Sequence, residues 1–322
     1  MNNKNEYNKN LIILTGPTAV GKTELSIELA KAYNGEIISA DSIQVYKYMD
    51  IGSAKIKESE MQGVRHHLID VLEPEVSFNV ATFKDMAKQA MDDILSRGKL
   101  PIVVGGTGFY IQALLYDIDF RETKDDGCRD KLQKIYETEG ADRLYKMLEA
   151  CDPESYENMD LCNIKRVIRA IEYFHQTGEK ISEHNKIERE KESPYNFAYF
   201  VLNCNRQLLY DRIDKRVDDM IANGLISEVK SLIEEHHIGR DMVSMQGLGY
   251  KEIASYLSGE ISLDEAVYIL KRDTRHFAKR QLTWFKRERD VIWLDKDIYR
   301  DNDTQMNFIS GILKDKGIIQ EG

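Results

Sequence analysis

The most specific chemistry in the chain lies in eight consecutive residues, Gly16-Pro17-Thr18-Ala19-Val20-Gly21-Lys22-Thr23. Their spacing, GxxxxGK[ST], is that of a phosphate-binding loop. Glycines let backbone amides curl around an anion, and the N-terminus of a following helix adds positive partial charge. Lys22 can reach terminal phosphate oxygens, and Thr23 can hold Mg²⁺ through its hydroxyl. A plain strand-to-helix turn needs neither Lys nor Thr after the second glycine, so phosphate binding is the reading. The loop does not say which phosphate compound it holds, a nucleotide such as ATP or another diphosphate.

Other residues could act near such a loop. Asp41-Ser42-Ile43-Gln44 follows a short apolar segment, where a carboxylate can reach Mg²⁺ through water, accept a proton, or cap the next turn. Cap and base stand level on the pattern alone. Gly105-Gly106-Thr107-Gly108 follows another apolar run; its glycines allow close backbone approach and Thr107 adds a hydroxyl. Lys55 is read as a surface lysine, with phosphate contact as the sharper alternative. His66-His67 could be a metal pair, but neighbours on a strand point apart, so both are read as structural.

These candidates need elements to position them. Leu11–Leu14 is an apolar run of the kind found in buried parallel strands, and residues 24–33 read as a helix. Gly35–Ala40, Lys99–Val104 and Tyr195–Leu202 are further strands, with a short one at Val291–Leu294; Phe78–Arg97 is a helix. An open α/β sheet binds ligands at the carboxyl ends of its strands, where the candidate loops emerge. The fold class expected is therefore α/β, a P-loop NTPase-like parallel sheet core with a helical insertion domain. The core takes residues 1–120 and 195–322, and the insertion 121–194.

Composition narrows the class. The 322 residues are 42% hydrophobic and 31% charged, with a formal net charge of −10. No apolar run is long enough to span a membrane, so no membrane partner is expected. The polar start, residues 1–10, lacks a signal-peptide core and reads as a short lead-in, and a cytoplasmic location is expected. Four widely spaced cysteines indicate neither a zinc site nor a disulfide framework. The acidic balance argues against a protein coated with nucleic acid, though not against a local basic track.

Charge density rises across the insertion, where helices are expected at Cys128–Glu139, Ala141–Ala150 and Asn163–Gln176. Lys165, Arg166 and Arg169 cluster there, and Glu179–Glu192 reads as a mobile link. In the later core, Arg206–Ala222 is a helix with Arg212 and Arg216 on one face. Gly247 and Gly249 interrupt the turn Ser244–Lys251. Leu263–Arg289 is a long helix or a kinked pair. Within it, Lys271–Arg289 carries eight cations against two carboxylates, a net of +6. Gln281, Thr283 and Trp284 are interleaved, and Leu270, Phe277, Ala278, Leu282 and Phe285 form an apolar stripe. The local charge opposes the global sign, which favours a nucleic-acid track over a solvated face.

Taken together, the motifs GPTAVGKT, DSIQVYKYMDIGSAK, HHLID, VVGGTGFY, RVIRAIEYF, MIANGLISEV, GLGYKE and TRHFAKRQLTWFKR resemble, in order, those of the bacterial tRNA dimethylallyltransferases. The resemblance runs from Leu11 to about Leu294. It implies transfer of a dimethylallyl group from dimethylallyl diphosphate to an anticodon-loop adenine, with Mg²⁺ and a tRNA anticodon stem-loop as partners, by an enzyme expected to be monomeric. Gly16–Thr23 then cradle the diphosphate with Mg²⁺ at Thr23, and Lys22 and Arg216 contact it. Asp41 becomes the general base beside Thr107. The implied tRNA contacts are Asp41, Ser42, Ile43, Gln44, Thr107, Arg129, Lys165, Arg166, Val167, Ile168, Arg169, Gln246, Gly247, Leu248, Gly249, Tyr250, Lys251, Lys279, Arg280, Gln281, Thr283, Trp284 and Lys286. Ser53 and Ile56 depart from the family's usual GTAKP, Cys162-Asn163 from its Asn-Asp, and Gly247 is an extra glycine. Rival readings are a P-loop small-molecule or nucleoside kinase using ATP, an adenylate isopentenyltransferase, and a P-loop RNA-binding protein without chemistry.

Overall fold

The structure is a computed structural model that describes residues 9–120 and 127–320. Most of the lead-in and the expected start of the insertion at residue 121 lie outside the described residues. The chain divides into two compact units: one runs to Leu115 and resumes at Pro194, and the other is Tyr116–Ser193.

The first unit is built on six parallel strands in the order β3-β2-β4-β1-β5-β6. They are β1 (Asn10–Thr15), β2 (Gly35–Ala40), β3 (His66–His67), β4 (Leu100–Gly105), β5 (Asn196–Asn203) and β6 (Val291–Asp295). The central β1 is covered on both faces, which is why its sequence is a continuous apolar run rather than an alternating one. Helices α1 (Lys22–Ala32), α2 (Val80–Ser96) and α3 (Gly108–Leu115) follow β1, β3 and β4. After β5 come α9 (Arg206–Ala222), α10 (Leu225–Glu234), α11 (Tyr250–Leu257) and α12 (Leu263–Phe285), and α13 (Asn302–Asp315) follows β6. Leu263–Phe285 is one unbroken helix, not a kinked pair. Ser262 caps it by accepting the Glu265 N–H at 3.2 Å.

Register matters most for function. Gly105 is level with both Thr15 and Ala40. The loops that begin at Gly16, Asp41 and Gly106 therefore leave one sheet edge side by side.

The second unit contains α4 (Cys128–Glu139), α5 (Ala141–Cys151), α6 (Pro153–Asn158), α7 (Ile164–Thr177) and α8 (Ile181–Glu190). Leu132, Leu144, Leu148, Val167, Ile168 and Ile171 form its core. The expected mobile link at Glu179–Glu192 is corrected by α8. Its charges are matched locally: Glu188 accepts the Asp119 N–H at 2.8 Å and pairs with Lys191 at 2.7 Å. Asp152, fully buried, accepts the N–H and hydroxyl of Ser182 at 3.0 and 2.7 Å and also caps α6. High charge density alone did not imply mobility. No helix among the described residues is long and apolar enough to cross a membrane.

Candidate active site at the carboxyl edge of the sheet

The phosphate loop leaves β1 at Gly16, whose φ is +145°. A Cβ there would lie 2.6 Å from the Leu202 carbonyl oxygen, so glycine is required. Pro17 and Val20 are buried, and Val20 anchors the loop on the core, while Thr18, Ala19 and Gly21 stay partly accessible. Lys22 folds back over the loop and donates to the Gly16 and Pro17 carbonyls at 3.0 and 2.9 Å. Burial, and then repulsion from Arg216, push its ammonium down to about 7, with Asp41 opposing the shift. Arg216 Nη1 donates to Thr18 Oγ1 at 3.3 Å, and burial lowers its pKa as well. Two cations thus converge on one loop. Among the described residues no carboxylate is bonded to either.

Asp41 follows β2. Its Oδ1 accepts the N–H groups of Ile43 and Gln44 at 2.8 and 3.2 Å, so the capping reading holds for that oxygen. Oδ2 makes no such bond among the described residues, which leaves it open to a proton. Thr107 is drawn beside it, because the Thr107 N–H donates to the Ala40 carbonyl at 3.3 Å. Thr107 in turn starts α3 by accepting the Tyr110 N–H at 3.0 Å. Tyr110, buried against Phe78 and Phe83, is pushed up to about 12, mainly by burial, then by Tyr46 and Asp41, so it stays a neutral phenol.

The metal can be tested against these groups. Among the described residues no three His, Cys, Asp or Glu side chains form a metal cluster. Thr23 is exposed in the first turn of α1 and offers a hydroxyl beside the cradle. One hydroxyl, diphosphate oxygens and water form the hard, oxygen-only shell that Mg²⁺ prefers, so the residues fit it.

The residues expected to meet RNA fall into two groups. Ser42, Ile43 and Leu248 are partly accessible; Gln246, Lys251, Lys279, Arg280, Thr283 and Lys286 are exposed. Lys279, Arg280, Thr283 and Trp284, with His276 and Arg287, line a groove of about 370 Å³ on α12. The cations nearer the start of that helix are occupied: Arg275 pairs with Asp214, and Lys271 with Asp218 at 2.6 Å. The available positive charge is thereby concentrated in the second half. In the second unit, Lys165, Arg166 and Arg129 are exposed. The nearly buried Glu172 accepts from Arg129 at 2.7 Å and from Arg169 at 3.1 Å.

Other expected contacts are buried or engaged by the protein itself. Val167 and Ile168 are core residues of their unit, since α7 turns that stripe inward. Tyr250 is completely buried, and its hydroxyl donates to Glu228 Oε1 at 2.9 Å. Glu228 also accepts the N–H groups of Asp50, Ile51 and Gly52, so it organises the loop after Asp41. Sequence reasoning missed this residue. Gly249 is buried and Gly247 packs near Ile43. Gln44 is turned toward the Ser53 and Ala54 carbonyls, and Gln281 is buried. Lys55 neither reaches the phosphate loop nor stands on the surface. It is buried against the Tyr46 carbonyl and pairs with Asp50 and Asp70. His67 bonds Glu36 at 2.8 Å and His66 bonds the Val64 carbonyl at 2.9 Å; the two rings serve separate structural partners.

Comparison with known proteins places this geometry. The chain is 60% identical, over 96% of its length and 99% of the relative's, to a tRNA dimethylallyltransferase of Lachnoclostridium phytofermentans. It superposes on the full-length tRNA isopentenylpyrophosphate transferase of Bacillus halodurans with a TM-score of 0.72 and 42% identity, covering 96% and 98% of the two chains. A eukaryotic dimethylallyltransferase acting on tRNA matches with a TM-score of 0.77 and 29% identity, over 94% of this chain and 80% of that one. The family model described as IPP transferase matches residues 44–288, more than half of the sequence. With that match and those identities, the chain belongs to the IPP transferase family.

Proposed function

We propose that this protein is a tRNA dimethylallyltransferase, which moves the five-carbon group of dimethylallyl diphosphate onto the exocyclic amine of the adenine 3′ to the anticodon. The observation that carries the reading is the convergence at one sheet edge of a diphosphate cradle with Lys22 and Arg216, and a half-free carboxylate, Asp41, beside Thr107. Family membership and the names of the relatives support it further.

In this reading the allylic carbon–oxygen bond breaks and a carbon–nitrogen bond forms to the adenine amine. The amine proton passes to Asp41, and diphosphate departs. Negative charge grows on the departing oxygens, where the loop amides, Lys22 and Arg216 lie. Groups placed at developing charge stabilise the transition state more than the ground state. The adenine amine is a weak nucleophile because its lone pair is delocalised. Proton removal by Asp41 as the bond forms offsets that, an effect of about 10²–10⁴-fold. In this reading Thr107, next in the turn beside Asp41, orients the base through its hydroxyl. Mg²⁺ held at Thr23 would neutralise part of the diphosphate charge. The target base must leave the anticodon stack, at a cost of a few kcal/mol. Cations on α12 and on α7 meet the RNA backbone, and the protein acts in the cytoplasm.

The test is mass spectrometry of nucleosides from an unmodified anticodon stem-loop after incubation with the protein, Mg²⁺ and dimethylallyl diphosphate. An adenosine heavier by one five-carbon prenyl unit is expected. No product from protein that binds the donor would overturn the reading.

A further inference from the structure

Gln281 lies midway along α12 and is only 6% exposed. Its Oε1 accepts the Thr18 N–H at 2.9 Å, and its Nε2 donates to the Gly106 carbonyl at 2.9 Å. The partners fix the orientation of the amide, since an N–H needs an acceptor and a carbonyl needs a donor. The helix approaches the turn so closely that a Cβ on Gly106 would overlap Nε2 of Gln281. One on Gly108 would overlap the indole of Trp284, three residues further along α12.

Each end of this bridge touches the proposed reaction. Thr18 belongs to the diphosphate cradle and carries Arg216 on its hydroxyl. Gly106 precedes Thr107, whose N–H is bonded to Ala40, next to Asp41. One side chain therefore spans the loop that holds the donor and the turn that holds the proton acceptor. We propose that Gln281 is a positioning residue that sets the separation between the diphosphate cradle and the Asp41–Thr107 pair, and that it does not contact RNA. The helix whose outer side carries the cationic groove holds both loops from its inner side. The spacing matters because misplacing reacting groups by about 1 Å can cost on the order of 10²-fold in rate.

The inference rests on the prenyl-transfer reading, and its test separates the two. Gln281→Met preserves length and bulk but makes neither bond; Gln281→Asn keeps the amide on an arm one methylene shorter. Single-turnover rates are measured at saturating dimethylallyl diphosphate and stem-loop, RNA affinity by fluorescence anisotropy, and backbone exchange by deuterium uptake. Both variants should lose roughly 10–100-fold in saturating rate. RNA affinity should stay within about twofold. Deuterium uptake should rise together in residues 16–20 and 105–107 and stay unchanged in 141–151. Weaker RNA binding with an intact saturating rate overturns the proposal in favour of an RNA contact, and so does an intact rate with intact exchange. If one variant fails to fold, the other decides. If the wild-type protein makes no prenylated product, the functional reading fails, and the exchange pattern still reports whether Gln281 couples the two loops.

Discussion

Arg216 Nη1 donates to Thr18 Oγ1 at 3.3 Å, and its guanidinium is near enough to Lys22 to help lower that ammonium to about 7. Two cations are held together in a partly buried loop with, among the described residues, no carboxylate bonded to either. Such a site is destabilising by itself and becomes favourable when an anion arrives.

Proton uptake on donor binding follows from that pairing. At pH 8 a lysine with a pKa near 7 is about 90% neutral, and a bound diphosphate favours its charged form. Binding of dimethylallyl diphosphate at pH 8 should therefore take up about 0.9 proton, read by calorimetry in buffers of different ionisation enthalpy. Donor affinity should weaken as pH rises above 7. Arg216→Ala removes one cause of the depressed pKa, so Lys22 starts more fully charged and uptake should shrink. Equal uptake in the two proteins would sink the argument.

Asp41 has two oxygens with separable tasks. Asn keeps the oxygen that caps Ile43 and Gln44 but cannot accept the proton. Asp41→Asn should reduce the single-turnover rate by about 10²–10⁴-fold with an unchanged melting temperature. Asp41→Ala should show the same rate loss and also about 1 kcal/mol of lost stability, from the missing cap. An active Asp41→Asn enzyme would assign the base elsewhere.

What was legible in the sequence, and what was not, follows from how each signal is encoded. The phosphate loop, the buried strands and the bounds of α9 could be read because each depends on local residue types. Several of the implied RNA contacts lie inside the protein because family motifs are contiguous, whereas a helix turns only some of their residues outward. Gln281 lies three residues after buried Ala278 and four before buried Phe285. That spacing places it on the apolar stripe, and it was the available signal. Val167 and Ile168 belong to a similar stripe on α7 with Ile171. Glu228 carries no local sign of its partners, because Asp50, Ile51, Gly52 and Tyr250 are all distant in sequence; for Glu172 only Arg169, three residues before it, could be read locally, and Arg129 could not. The α8 helix was missed because charge density does not show which charges are paired. The start of α6, by contrast, is written in Asp152-Pro153, a cap followed by proline at the first helical position.

The cations of α12 divide by partner, which gives a graded prediction. Lys279, Arg280, Lys286 and Arg287 have no carboxylate partner among the described residues, whereas Lys271 and Arg275 are paired with α9. Alanine at Lys279 or Lys286 should weaken stem-loop binding and reduce the slope of log affinity against log salt by about 0.7–0.9 per removed cation. Lys271→Ala should change that slope much less. A larger change at Lys271 would place the RNA on the other half of the helix.

Acid stability should depend on Glu36, at the amino end of β2 and away from the site. Its carboxylate is 2% exposed and accepts from Arg97 at 2.7 Å, from Lys99 at 2.8 Å and from His67 at 2.8 Å. The Arg97 hydrogen bonds hold its pKa far below the usual carboxylate range; burial opposes this, and Lys99 and His67 add to it. Because the folded value lies below the unfolded one, the stabilisation is fully present above about pH 4.5 and is lost as pH falls below it. Glu36→Gln should cost about 2 kcal/mol at pH 7. That is below the roughly 3–5 kcal/mol of a fully buried pair, because Arg97 and Lys99 are each about a third exposed. Denaturant unfolding at pH 7 and pH 3.5 provides the check: the wild type and the variant should differ clearly at pH 7 and by less at pH 3.5, because the stabilisation is lost progressively between the unfolded and the folded pKa. A difference that stays constant between the two would mean that the glutamate acts through packing rather than charge.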